Sequence, residues 1–198
     1  MKTVFFDVDS QLDFLYPAGA LYVPAAERIV PAIARLNRFA AEHRIAVIST
    51  TDAHAENDPE FAAWPPHCIS GTTGQHKAER TLLEKRVVVP NRQCEFALDG
   101  VQQVVVEKQT VDVFLAPNLS RVIEQLEADR FVVYGVVTEI CVLFAARGLL
   151  KAGKPVTVVT DAVAALKAED SARALDEIRM FGGALATVGQ VLAPGWCR

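Results

Sequence analysis

The chain has 198 residues, of which 51% are hydrophobic and 22% charged, with a formal net charge of −4. This excludes a disordered chain, fits one domain over residues 1–198 with a real core, and leaves no basic footprint for nucleic acid or an anionic membrane. The cysteines, Cys68, Cys94, Cys141 and Cys197, form no close pair, which argues against a disulfide scaffold or a cysteine zinc cluster and for a reducing, cytoplasmic setting. Met1-Lys2-Thr3 leads straight into a strand-like segment, so no secretory signal is expected, and no uncharged apolar run reaches membrane-spanning length.

Val4, Phe5, Phe6 and Val8 read as a short strand carrying Asp7 and closing at Asp9. Ser10 to Phe14 and a loop with Pro17, Gly19 and Pro24 follow. Ile29, Ile33, Leu36 and Ala40 line one helical face, with Pro31 in the first turn because an interior proline costs about 3 kcal/mol. Ile45 to Ser49 is a second strand, ending near Thr50-Thr51-Asp52. Residues 53–86 are broken by Pro59, Pro65, Pro66 and Gly71, and carry Trp64 and His67. A long irregular stretch in a compact domain is either functional or disordered, and this aromatic and histidine content favours function. His43 and His76 read as surface residues. Val87–Val89 and Val101–Val106 are two further strands, the second leading into Glu107-Lys108. Leu119, Val122, Ile123 and Leu126 mark a helix with Asn118 as its cap. Phe131–Tyr134 is a buried strand ended by Gly135. Thr138-Glu139 then opens a helix along Val142, Ala145, Ala146 and Leu149. Pro155–Val159 is a strand ending at Thr160-Asp161, Ser171–Phe181 a helix with Ile178 inward, and Ala184–Val188 a last strand.

Strands alternating with helices predict a three-layer α/β/α fold on a mostly parallel sheet with right-handed crossovers. Ligands gather at the carboxyl ends of such strands, where Asp9, Asp52, Lys108 and Cys141 all fall. Cys141 sits in a first helical turn, where free N–H groups and the helix dipole favour a thiolate. The alternative is a small thiol filling the core. A carboxylate such as Asp9 can take a thiol's proton and return it to a leaving group, and Lys108 can hold that carboxylate. Asp52 and His54, on one side of an extended segment, can share an ion with His67, and Glu60 is a possible fourth ligand. One acid and two histidines with open positions suit Zn²⁺, Fe²⁺ or Mn²⁺. Otherwise these are loop histidines bonded to backbone. Phe14 and Trp64 either make an apolar slot for a flat ring or pack their own loops.

Over nearly its whole length the chain resembles the isochorismatase-like cysteine hydrolases, and within them the nicotinamidases. Asp9-Ser10-Gln11-Leu12-Asp13-Phe14 is similar to the family's N-terminal signature, whose first Asp is catalytic, which places the base at Asp9 and not Asp7. Lys108 followed by Asp112-Val113-Phe114 resembles the catalytic lysine segment, and Gly135-Val-Val-Thr138-Glu-Ile-Cys141-Val the nucleophile segment. Asp52-x-His54 and Trp64-Pro-Pro-His67-Cys-Ile-Ser-Gly71-Thr resemble the metal motif of the nicotinamidase branch. Ser10 departs from a usually hydrophobic position, and Thr73 from a common proline. The resemblance implies a Rossmann-like topology and a cis peptide between Val136 and Val137. It also implies an oxyanion hole from the N–H groups of Val137 and Cys141, and a divalent metal, zinc first, that orients a pyridine ring. The implied reaction is hydrolysis of nicotinamide or a close aromatic carboxamide through a thioester. The partner is then a small-molecule amide, with a homo-oligomer expected from fold relatives. Two other readings compete: a family hydrolase for carbamoyl, ureido or isochorismate-type substrates, and a non-catalytic binding protein on the same fold.

Overall fold

The computed structural model describes residues 1–196, so Cys197 lies outside the described residues. Seven strands, β1 (Thr3–Val8), β2 (Ala46–Asp52), β3 (Arg86–Val89), β4 (Gln103–Lys108), β5 (Arg130–Val136), β6 (Val156–Ala164) and β7 (Ala184–Ala186), form one sheet in the order β3-β4-β2-β1-β5-β6-β7. Every pairing is parallel. The helices are α1 (Leu12–Leu15), α2 (Val30–Glu42), α3 (Leu119–Gln125), α4 (Leu143–Lys151), α5 (Ala168–Met180) and α6 (Val188–Val191). None of them is long and apolar enough to cross a membrane.

The near-continuous apolar runs of β1 and β5 are what a strand buried on both faces requires. Val4, Phe6, Val104 and Val133 pack on one side with Leu119, Ala145, Leu149 and Ile178 of α3, α4 and α5. Phe5, Val47, Val132 and Tyr134 pack on the other with Ile33 and Leu36 of α2 and Val191 of α6. Pro31 lies in the first turn of α2, as expected. Strand order reverses between β1 and β5, the place where open parallel sheets form a crevice at the strands' carboxyl ends.

Several local expectations change. β2 and β4 run on to Asp52 and Lys108, which are Cα partners in the sheet. β6 continues to Ala164, while β7 stops at Ala186 and Thr187 caps α6 instead. Gly135 does not end β5. It continues the pairing at φ 120°, where a Cβ would lie 2.0 Å from the Val8 carbonyl oxygen. Neither expected hydroxyl or amide cap exists: Thr138 Oγ1 donates to the Ala164 carbonyl, and Asn118 Nδ2 to the carbonyls of Pro90 and Arg92. Cys141 sits in a wide π-turn, Thr138–Val142, before α4 begins. Such insertions recur at functional sites.

The segment after Lys108 locks onto the cysteine's helix. A Cβ on Gly148 of α4 would meet the Phe114 ring at 2.1 Å. Overpacking of this kind costs about 1–3 kcal/mol. Gly148→Ala is therefore expected to lower the unfolding free energy by that amount, read as a lower urea midpoint, and an unchanged midpoint would show that Phe114 is free to move aside.

Ser10, the departure in the first signature, joins a buried polar cluster behind the crevice. Lys77 Nζ lies 3.0 Å from Asp7 Oδ2 and 2.5 Å from Ser10 Oγ, and Ser10 Oγ donates to Asp7 Oδ1 at 2.8 Å. Asn37 Nδ2 donates to Asp7 Oδ2 at 3.0 Å and accepts, on its Oδ1, from the Tyr134 hydroxyl. Asp7 is thus a structural carboxylate with a complete set of partners, distinct in role from Asp9.

Candidate active site

Asp9 leaves β1 with φ 47°, a left-handed conformation that Asp tolerates better than most residues. Thr50 holds it there: its Oγ1 donates to Asp9 Oδ1 at 2.6 Å, and Asp9 N lies 3.2 Å from the Thr50 carbonyl oxygen. Lys108, at the end of β4 and buried, places Nζ 3.0 Å from Asp9 Oδ2, 2.5 Å from Asp52 Oδ1 and 3.8 Å from Cys141 Sγ. Three side chains distant in sequence therefore meet at the crevice between β1 and β5.

Their electrostatics follow from burial. Desolvation opposes the Lys108 charge, but the flanking Asp52 and Asp9 carboxylates outweigh it and hold its pKa well above the usual value. Burial pushes Asp52 up to about 7 against the pull of Lys108, with Asp9 adding to the rise. Burial also pushes the Cys141 thiol well up; Lys108 opposes, while Asp9 and Asp52 reinforce. Burial and the two carboxylates thus oppose the pull of the helix terminus toward a thiolate. In the metal-free protein, alkylation of Cys141 by iodoacetamide is thus expected to keep rising with pH beyond the ordinary thiol range of about 8.5. A plateau already reached near neutrality would instead reveal a thiolate.

Asp52 faces two ways. Oδ1 meets Lys108, while Oδ2 lies 3.9 Å from His54 Nε2 and 3.8 Å from His67 Nε2. Backbone pairing brings the histidines together: His54 N donates to the Cys68 carbonyl, and Ser70 N to the His54 carbonyl. His67 Nδ1 donates to the Pro65 carbonyl at 2.8 Å, which leaves Nε2 as the lone pair facing Asp52. Burial lowers the His67 pKa, keeping the ring neutral as a ligand must be. His54 Nε2 is buried with no hydrogen-bond partner, and Nδ1, 3.0 Å from Asp58 Oδ2, lacks hydrogen-bond geometry. One ligand atom from each of Asp52, His54 and His67 falls within 4.8 Å of the others. Orphaned imidazole nitrogens beside an excess of buried carboxylate fit a divalent cation. Glu60 stands outside that triad with Oε1 3.9 Å from His54 Nε2, half-buried, its pKa raised by desolvation.

The first signature supplies the braces. Gln11 donates to the Asp52 carbonyl at 2.8 Å and accepts from Asp52 N at 2.7 Å, fixing that residue's backbone. Asp13 Oδ2 accepts from Cys68 N at 2.7 Å, fixing the histidine loop. The crevice encloses about 400 Å³ including its mouth, and its lining contains Asp9, Asp52, Glu60, His67, Val137 and Cys141. Phe14 and Trp64 both reach it, and the Phe14 ring lies 5.3 Å from that of His67. Leu21, Val23, Val111, Ile140 and Leu166 complete an apolar wall. Nothing in their spacing singled them out, because they come from loops whose course is set by the fold. The Val136–Val137 peptide is cis, as the resemblance implied.

An α/β/α fold with a buried thiol, carboxylate and ammonium at its switch point, beside an acid–histidine cluster, belongs to a hydrolase. The isochorismatase domain profile matches residues 3–190, and the chain belongs to the isochorismatase family. Nicotinamidase of Escherichia coli strain K12 is 27% identical, over 91% of this chain and 92% of its own. Nicotinamidase/pyrazinamidase of Mycobacterium tuberculosis is 29% identical, over 87% and 91%. The crystal structure of Pyrococcus horikoshii pyrazinamidase in complex with zinc superposes with a TM-score of 0.81 at 28% identity, over 94% of this chain and 99% of that one.

Proposed function

We propose that the protein is a cysteine-dependent amidase that hydrolyses nicotinamide, or a close aromatic carboxamide, to the acid and ammonia. The observation that carries this reading is the meeting of Lys108 Nζ with Asp9, Asp52 and Cys141 Sγ at the end of an apolar crevice. Asp9 takes the Cys141 proton as sulfur attacks the amide carbonyl, and Lys108 balances the carboxylate. Proton transfer accompanies the attack, because burial raises the Cys141 pKa and disfavours a free thiolate. The N–H groups of Val137 and Cys141 receive the oxyanion. Asp9 then gives the proton to the departing nitrogen, the C–N bond breaks, ammonia leaves and a thioester remains. Asp9 next deprotonates a water that attacks the thioester, and Cys141 recovers its proton as the acid departs.

Asp52, His54 and His67, with Glu60 at their edge, would hold a divalent metal such as Zn²⁺, Fe²⁺ or Mn²⁺. Bound there, it would supply a Lewis-acid anchor for a ring nitrogen. Phe14 and Trp64 flank the ring, and the remaining apolar wall excludes water. Phe14, Trp64 and the apolar wall favour a flat ring, and the acid–histidine cluster argues against a carbamoyl or ureido chain, which brings no ring nitrogen for a metal.

Ammonia release from a panel of amides tests the reading: nicotinamide and pyrazinamide are expected to turn over well ahead of carbamoyl and ureido compounds, and the reverse order would sink it. His54→Ala, or chelation of the wild-type protein, is expected to raise KM for nicotinamide by about 10–100-fold, the usual cost of damaging a metal site. An unchanged KM after chelation has stripped the metal would remove the ion from the mechanism.

A further inference from the structure

We infer that Glu139 is a positioning residue that latches the β6–α5 connection against the π-turn of Cys141, and so sets the distance between the pocket wall at Leu166 and the sulfur. The inference rests on the amidase reading for its kinetic consequence, though not for the latch itself. Glu139 looks at first like an acid in a first helical turn, a residue that ordinarily faces water and serves the dipole. It does something else here. Its Oε1 accepts from Leu166 N at 2.9 Å and from Lys167 N at 3.4 Å. Its Oε2 is buried without a hydrogen-bond partner. A carboxylate serving only solvation would not bury that oxygen.

Lys167 is the N-cap of α5 and has no side-chain capping bond of its own. Glu139 thus holds, from a different element, the N-cap N–H of α5 and the N–H just before it. The neighbouring Thr138 makes a second tie, its Oγ1 donating to the Ala164 carbonyl at 2.9 Å. Between these two ties the chain turns and delivers Leu166 to the crevice, whose lining also contains Ile140 and Cys141 from the same π-turn. The apolar wall and the nucleophile are therefore indexed to one another through two adjacent side chains. With the latch intact, the slot admits a thin planar ring; with it released, Leu166 drifts with the loop and the ring loses its fixed height above the sulfur.

Kinetics and hydrogen exchange on the whole protein test this together. Glu139→Ala is expected to raise KM for nicotinamide about tenfold with kcat within about threefold, the cost of losing one charge-assisted tie. Glu139→Gln, whose Oε1 accepts the same two N–H groups, restores the wild-type KM. Leu166→Ala reproduces the KM rise, and combining it with Glu139→Ala adds little, because both act through one wall. In exchange experiments the Leu166 and Lys167 amides are protected in the wild type and lose protection in Glu139→Ala. An unchanged KM, a fall confined to kcat, or fully additive effects in the double variant would overturn the positioning role. A wild-type protein that hydrolyses no aromatic amide would overturn the proposed function instead. Exchange then decides the latch alone: lost protection in Glu139→Ala upholds it, and unchanged protection overturns it.

Discussion

Cys141→Ala is expected to abolish amide hydrolysis, with kcat reduced at least about 10⁴-fold, as for other nucleophiles that act in a unit with their base. The fold should survive. Cys141 is a small buried side chain in an otherwise apolar cluster, so the change is expected to cost about 1 kcal/mol or less. Asp9→Asn keeps the size of the side chain but cannot take the thiol's proton. It is expected to lose about 10²–10⁴-fold in kcat, with Thr50 Oγ1 still able to donate to the remaining oxygen. Substantial turnover in Cys141→Ala would leave the thiol as core packing and require another nucleophile.

The second large effect concerns stability. Lys77→Met should destabilise the protein by about 3–5 kcal/mol, the cost of stripping the partner from a buried ion pair. Asp7 would keep Asn37 Nδ2, Ser10 Oγ and Ser49 Oγ as donors, yet among the described residues its carboxylate has no other cation within ion-pair distance. Combining Lys77→Met with Asp7→Asn is expected to recover much of the loss, because the isolated charge is then gone and an amide can still bond Ser10 and Asn37. Urea unfolding of the two single variants and the double variant measures this. A loss below about 1 kcal/mol for Lys77→Met would mean that water reaches Asp7 in its place. Ser10 is part of the same compensation. A polar residue stands where the family usually has an apolar one, and a lysine from the loop after His76 comes in to meet it.

The sheet is legible because β1, β4 and β5 carry apolar runs, and because β1, β2 and β4 lead directly into Asp9, Asp52 and Lys108. Position alone brings Asp9, Asp52, Lys108 and Cys141 to one edge, since a parallel sheet sends strand ends there, whereas the choice of Asp9 over Asp7 as the base needs the family resemblance. Four things were hidden, each for a physical reason. Gly135 looks like a stop but serves close approach to Val8, which only the paired strand reveals. Cys141 looks like a thiolate at a helix start, but burial and two carboxylates oppose that, and burial is not written in local sequence. Asp52 was read as a metal ligand alone. Its contact with Lys108 depends on the β2–β4 register, which no local pattern encodes. The pocket wall at Leu21, Val23, Val111, Ile140 and Leu166 was hidden likewise, because apolar loop residues carry no mark of what they face.

The most direct measurement is a crystal structure of the protein with nicotinaldehyde, an analogue that a nucleophilic thiol converts to a tetrahedral adduct. Continuous density from Cys141 Sγ to the aldehyde carbon is the predicted result, with the new oxygen beside the N–H groups of Val137 and Cys141 and the ring between Phe14 and Trp64. An aldehyde bound elsewhere, or seated in the crevice with its carbon unbonded to sulfur, would contradict the account.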